Sequence, residues 1–104
     1  MLRSKDYRRV YDNGVRFSGP LFTAFYLANE ESAGPRIGFT TPRALGKATR
    51  RNRMKRRMRE AVRLALPQIA PQWDIVINPR KAAHDASWET VQKEVRKLVG
   101  RCGN

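Results

Sequence analysis

The chain has 104 residues, 40% of them hydrophobic, which is the length of one domain with a modest core. Its net charge is +13, from 22 Lys and Arg against nine Asp and Glu, and this predicts a polyanionic partner. A single Cys and a single His exclude a disulfide framework, a four-thiolate zinc site and a His pair for a metal, and no apolar run is long enough to span a membrane. We therefore expect one domain over 1–104 in a reducing cytoplasm, with no cofactor or metal bound by a protein motif.

The first half of the chain predicts one helix and three strands. Three side chains fall on one face of a helix over 3–12, namely Tyr7, Val10 and Tyr11, and an Asn-Gly pair stops it. Aromatic and β-branched runs then predict strands over 15–17, 21–27 and 36–41.

The second half predicts a basic helix, a strand and a closing helix. The strand covers 73–78, a loop follows over 80–86, and Ser87 caps a helix over 88–99 with one apolar stripe. The order is α-β-β-β-α-β-α, which is typical of an α+β domain with helices packed on a sheet. We expect four side chains to lie in the core: Met54, Met58, Trp73 and Trp88.

The strand over 21–27 has large side chains on both faces. Phe22, Ala24 and Tyr26 alternate on one face. The other face carries Leu21, Thr23, Phe25 and Leu27. One face must pack on the helices. The residues alone leave open whether the aromatic side chains of the other face, with those of the first helix, are core or an exposed binding surface.

The segment 43–63 contains ten basic residues and a single acid, Glu60. Helical periodicity places Met54, Met58 and Val62 within an arc of about 100°, which is the width of a core-facing stripe. Basic side chains fill the opposite arc: Arg53, Lys55, Arg56, Arg57, Arg59 and Arg63. Same-sign neighbours at i+3 and i+4 destabilise a solvated helix, so this pattern favours a helix that presents guanidinium groups to nucleic acid.

The stretch 46–61, which contains Arg51-Asn52-Arg53 and, two residues later, Lys55-Arg56, closely resembles the signature of the protein component of bacterial ribonuclease P. Further landmarks follow in the order of that family, from the helix that ends at Gly14 to the closing helix, and the resemblance covers about 4–98. The turn before the basic helix departs from it, with Pro42-Arg43-Ala44 where the family commonly has Ser-Lys-Lys.

The resemblance implies a two-layer α+β domain with a mixed sheet of about four strands and a left-handed β-α-β crossover through the basic helix. It also implies a catalytic RNA and precursor tRNA as partners, with removal of the 5′ leader carried out by the RNA and its Mg²⁺ ions, no catalytic residue in the protein, and no obligate protein partner. The expected RNA-binding residues are Lys47, Arg50, Arg51, Asn52, Arg53, Lys55, Arg56, Arg57, Arg59 and Arg63. The expected leader-binding residues are Tyr7, Tyr11, Thr23 and Phe25.

Three alternatives stand beside this interpretation. Composition alone favours a ribosomal-protein-like structural RNA binder, against which the order of the landmarks argues. A basic nuclease acting by itself needs an acid–base or two-metal grouping, and the nine acids are scattered along the sequence. The lone His84 is expected to be a solvated loop residue. DNA binding through a major-groove helix is weaker still, because no helix-turn-helix spacing is visible.

Overall fold

The computed structural model describes residues 4–29, 34–65 and 72–102. Its helices are α1 (Ser4–Asn13), α2 (Ala48–Ala65), α3 (Ala82–Asp85) and α4 (Trp88–Cys102), with a single 3-10 turn at Arg43–Leu45. Its strands are β1 (Val15–Ser18), β2 (Phe22–Ala28), β3 (Arg36–Phe39) and β4 (Trp73–Pro79). The predicted order is confirmed, with one addition: the expected loop over 80–86 contains the helical turn α3. No helix in the described ranges is long and apolar enough to cross a membrane.

The four strands form one mixed sheet in the order β1-β2-β4-β3. Strand β2 is antiparallel to both β1 and β4, whereas β3 and β4 run parallel. A parallel pair of neighbours needs a crossover connection, and here the chain between β3 and β4 contains α2. The α+β fold with a four-stranded mixed sheet is therefore confirmed, and the left hand of the crossover stays a prediction.

Helices α2 and α4 cover one face of the sheet. Met54 and Met58 of α2 are buried against Phe22, Ala24 and Tyr26 of β2, as their spacing predicts. Helix α4 adds Val91, Val95, Leu98 and Val99 to the same core. Trp73 is half-buried and packs against this cluster, edge-on to Tyr26 at 5.4 Å between ring centroids.

Two predictions about this core are wrong. Leu21 precedes β2 and is buried in the same cluster as Phe22, because strand alternation begins only where the strand begins. Trp88 is 37% exposed, since it lies in the first turn of α4, where the helix begins at the edge of the core.

Helix α1 covers part of the opposite face. Val10 of α1 and Val76 of β4 are both buried there, with Tyr7, Phe25 and Leu27 packed around them. This second layer is thin, because one ten-residue helix cannot cover four strands. The remaining part of this sheet face stays accessible.

A buried carboxylate attaches α1 to the sheet. Asp74 of β4 is 0% exposed and accepts hydrogen bonds from Arg36 Nε and Nη2, at 2.9 and 2.8 Å, and from Asn29 Nδ2, at 3.1 Å. Arg9 of α1 reaches the same carboxylate, with 2.5 Å between Nη2 and Oδ2. Burial by itself raises the pKa of Asp74, but the hydrogen bonds from Arg36 and Asn29 and the two positive charges outweigh it, so this pKa lies below its usual value. The ionised Asp74 therefore joins three elements.

Candidate nucleic-acid interface

The basic helix α2 begins after a tight turn. Gly46 has φ of 120°, a conformation that favours glycine, and its N–H donates to the carbonyl of Arg43. The helix then packs by its Met and Val stripe on the sheet, which directs the opposite arc to solvent. The exposed site residues are Lys47, Arg50, Asn52, Arg53, Arg56, Arg59 and Arg63, and the half-buried ones are Arg51, Lys55 and Arg57.

Three of the predicted RNA-binding arginines bond to a backbone carbonyl or to an acid within the protein. Arg51 Nη1 donates to the carbonyl of Thr41 at 3.2 Å, and Arg63 forms a bidentate pair with Glu60. Arg57 donates to the carbonyls of Ala83 and His84, each at 2.8 Å, and to that of Ala86. The prediction that Arg57 belongs to the outward ridge is therefore wrong: it lies at the edge of the polar arc and reaches the carbonyls around α3.

Six of the predicted basic site residues form no hydrogen bond to an acid or to a backbone carbonyl within the described part of the chain: Lys47, Arg50, Arg53, Lys55, Arg56 and Arg59. Two of them, Arg50 and Arg53, lie near enough to Asp85 to lower its pKa. We call these six residues the basic face. With Asn52 between them, they give a continuous positive surface along about four turns of α2. Such a surface attracts phosphates by charge, irrespective of sequence.

The single histidine is held beside this face. His84 Nδ1 lies 3.2 Å from Arg50 Nη2 and 2.9 Å from Asp85 Oδ1, and its side chain is only 15% exposed. The expectation of a solvated loop histidine is wrong, because α3 folds against α2. The hydrogen bond from His84 lowers the pKa of Asp85. The described residues contain no group of three His, Cys, Asp or Glu side chains that could hold a metal ion.

The accessible part of the other sheet face carries aromatic and polar side chains beside α1. Tyr11 lies edge-on to Phe25, with 5.0 Å between ring centroids, and its hydroxyl donates to Asn78 Oδ1 at 2.8 Å. Thr23 lies two residues before Phe25 on the same face and pairs with Asn78 across the ladder. We call the surface of Tyr11, Thr23, Phe25 and Asn78 the sheet cleft. The structure thus brings three of the four predicted leader-binding residues together.

The fourth, Tyr7, lies at the other side of α1. A Cβ on Gly38 of β3 would lie 2.3 Å from Tyr7 Oη, so the glycine allows the phenol to lie directly on the strand. Tyr7 also lines a groove of about 390 Å³ between β3 and α2, together with Phe39, Lys55 and Arg59. It therefore forms a wall between the sheet cleft and the α2 side.

Arg80, which the sequence reasoning missed, lies at the end of the sheet cleft. Its Nη2 donates to Thr23 Oγ1 at 2.9 Å and to Ser18 Oγ at 3.1 Å, and its backbone N–H donates to the carbonyl of Leu21. Both side-chain partners are neutral hydroxyls, so the positive charge remains available to an anion. The sequence signal that could have identified Arg80 is its position directly after a strand that ends at Pro79.

Known proteins that are similar to this chain identify its family. The family model "Ribonuclease P" matches residues 1–103. The chain is 39% identical to the ribonuclease P protein component of Herpetosiphon aurantiacus over 99 residues, which cover 94% of this chain and 80% of that protein. It is 38% identical to that of Roseiflexus sp. over 100 residues, covering 95% and 81%.

Solved structures give the same result. The chain is similar to the ribonuclease P protein from Thermotoga maritima with a TM-score of 0.86 and 30% identity, over 99% of this chain and 97% of that one. The family match over nearly the whole length, the relatives above 30% identity and the shared fold lead to one conclusion: this chain belongs to the ribonuclease P protein family.

Proposed function

We propose that this chain is the protein subunit of the endoribonuclease ribonuclease P, which binds the catalytic RNA and the 5′ leader of precursor tRNA and so assists removal of the leader. The observation that carries the proposal is the pairing of the basic face on one side of the sheet with the sheet cleft on the other. We assign cleavage itself to the RNA and its Mg²⁺ ions, and we propose that the protein acts with this RNA in the cytoplasm.

The basic face suits the RNA subunit. Five of its six charges lie on α2 and the sixth, Lys47, directly precedes that helix. Neutralising phosphates releases the counterions that surround RNA. The predicted contacts Arg51, Arg57 and Arg63 are already bonded inside the protein, so we assign them to positioning rather than to phosphate binding. Asn52 lies among the six charges and can donate to a phosphate or a 2′-hydroxyl.

The sheet cleft suits a single-stranded leader. Base stacking on aromatic rings is worth about 1–3 kcal/mol per base and tolerates any base, as a leader of variable sequence requires. Tyr11 is 37% exposed and is held by its ring contact with Phe25 and its hydrogen bond to Asn78, so its ring is oriented before a base arrives. Arg80 and Thr23 at the end of the cleft can bind the leader backbone.

Replacing Tyr11 with Ala should weaken binding of precursor tRNA with a leader of several nucleotides by about 1–3 kcal/mol, with similar losses for different leader sequences. Binding of mature tRNA should hardly change. Tyr11→Phe is the matched control: it keeps the ring and removes only the bond to Asn78, so it should retain most of the leader affinity. Holoenzyme affinities for long-leader and leaderless tRNA measure this. A loss shared equally by both tRNAs would contradict the leader assignment.

The proposal itself is tested by a cleavage assay. Precursor tRNA is incubated at low Mg²⁺ with a bacterial ribonuclease P RNA, with and without this chain. The protein should lower the Mg²⁺ requirement and raise the affinity for precursor, and by itself it should cut nothing. Cleavage at the mature 5′ end by an RNA-free preparation, or no effect on the RNA-catalysed reaction, would contradict the proposal. The second of these outcomes would favour the structural RNA-binder alternative.

A further inference from the structure

We infer that Trp88 is a stacking site for one unpaired nucleotide of the catalytic RNA, flanked by Arg53 and Arg56 as phosphate contacts. This inference rests on the proposed function and adds an uncharged contact to its basic face. Trp88 is 37% exposed although the stripe to which it belongs by helical spacing is otherwise buried. The exposed part of the indole offers a flat aromatic face on which a base can stack.

The surroundings of the ring fit a nucleotide. Trp88 lines a surface hollow of about 350 Å³ with Arg53, Arg56, Arg57 and Glu60. Arg56 forms no hydrogen bond or ion pair with another described residue, Arg53 interacts only at longer range with the exposed Asp85, and Glu60 is paired with Arg63. The hollow therefore combines one exposed indole with two guanidinium groups that can bind the phosphates on either side of a stacked base.

The backbone that carries the indole is also held in place before RNA binds. Arg57 bonds the carbonyls of Ala83, His84 and Ala86, which fixes the connection from α3 to α4. Ser87 then caps α4, with its Oγ accepting from Thr90 N–H at 3.1 Å. A rigid backbone reduces the entropy lost when a base stacks on the ring. In this interpretation Arg57 positions the backbone beside Trp88 and does not itself bind a phosphate.

Position in the fold assigns the site to the RNA subunit. Trp88 lies at the start of α4, and α4 and α2 pack on the sheet face that carries Phe22 and Ala24. Tyr11 and the sheet cleft lie on the opposite face. A leader bound in the cleft therefore stacks on a different surface of the domain from Trp88.

Fluorescence tests the contact directly. In a Trp73→Phe background, Trp88 is the single tryptophan, and Phe keeps a ring against Tyr26. We expect the emission of Trp88 to be quenched when the ribonuclease P RNA is titrated in at 200 mM salt. A leader oligonucleotide or mature tRNA at the same concentrations should leave it unchanged. Quenching by the leader and not by the RNA subunit would overturn the inference.

Affinity measurements give the second test. Trp88→Leu should weaken RNA-subunit binding about tenfold, as expected for one stacked base, whereas Trp88→Phe should remain close to the wild type. The logarithmic salt slope should stay unchanged in Trp88→Leu, because no charge is removed. Leu64→Ala is the matched control, since Leu64 is a 49% exposed apolar residue of α2.

The two proposals fail in different ways. If wild-type protein does not bind the RNA, or binds without salt dependence, the proposed function fails. If it binds normally and Trp88→Leu binds equally well, only the stacking site is overturned. A lowered melting temperature in Trp88→Leu with full rescue of binding at low temperature would assign Trp88 to the core and overturn the inference as well.

Discussion

Raising the salt concentration from 50 to 200 mM should weaken binding of the RNA subunit roughly a thousandfold, because six phosphate contacts give a logarithmic slope of about −5. Replacing Arg56 with Ala should reduce the magnitude of that slope by about one and leave the melting temperature unchanged. The reason is that Arg56 is exposed and bonded to no other described residue. Filter-binding or anisotropy titrations at several salt concentrations measure both quantities.

The adjacent residue provides the control. Arg57→Ala removes the donor to three carbonyls around α3 and should destabilise the domain by about 2 kcal/mol. Arg57→Ala should change the salt slope much less than Arg56→Ala, because the guanidinium of Arg57 already donates to backbone carbonyls. Equal slope changes in the two variants, or an equal loss of stability, would contradict the division of α2 into a basic face and an internal edge.

Replacing Asp74 with Asn should lower the free energy of unfolding by about 3 kcal/mol, because it leaves the guanidinium groups of Arg9 and Arg36 without their shared carboxylate. Both arginines are partly exposed, which keeps the loss at the lower end for a buried ion pair. Urea denaturation followed by circular dichroism measures it. Asp85→Asn is the control, since the side chain of Asp85 is 80% exposed, and its stability should hardly change.

The same carboxylate predicts a pH dependence. The pKa of Asp74 is lower in the folded protein than in the unfolded chain, so its contribution is complete above about pH 4 and is lost as the pH falls further. Stability should therefore drop in that acid range in the wild type and much less steeply in Asp74→Asn. Parallel curves for the two proteins would show that Asp74 does not carry this dependence.

The sequence was sufficient to predict the four strands, the three longer helices and the buried face of α2. Met54 and Met58 repeat at helical spacing among charged residues, and only docking by that stripe buries them. Strand alternation likewise separated Thr23 and Phe25 from the core-facing Phe22 and Ala24. These are local patterns, which a single sequence contains.

Long-range contacts could not be predicted in this way. Periodicity places Arg57 in the polar arc, but a long side chain at the edge of that arc reaches a segment 26 residues away, and spacing does not encode that distance. Trp88 matches the apolar stripe of α4, yet it lies in the first turn of that helix and is 37% exposed. In the sequence, Asp74 is a charged residue inside a strand. The cost of burying it is offset only by the hydrogen bonds from Arg9 and Arg36, which belong to other elements.

The central claim is that two RNA surfaces lie on opposite faces of one sheet, and a crossed measurement tests it most directly. Arg56→Ala and Tyr11→Ala are each assayed for RNA-subunit affinity and for the difference in holoenzyme affinity between long-leader and leaderless tRNA. The account predicts that Arg56→Ala lowers the first and preserves the second, whereas Tyr11→Ala preserves the first and loses about 1–3 kcal/mol of the second. Equal losses in both assays for both variants would contradict two separate surfaces.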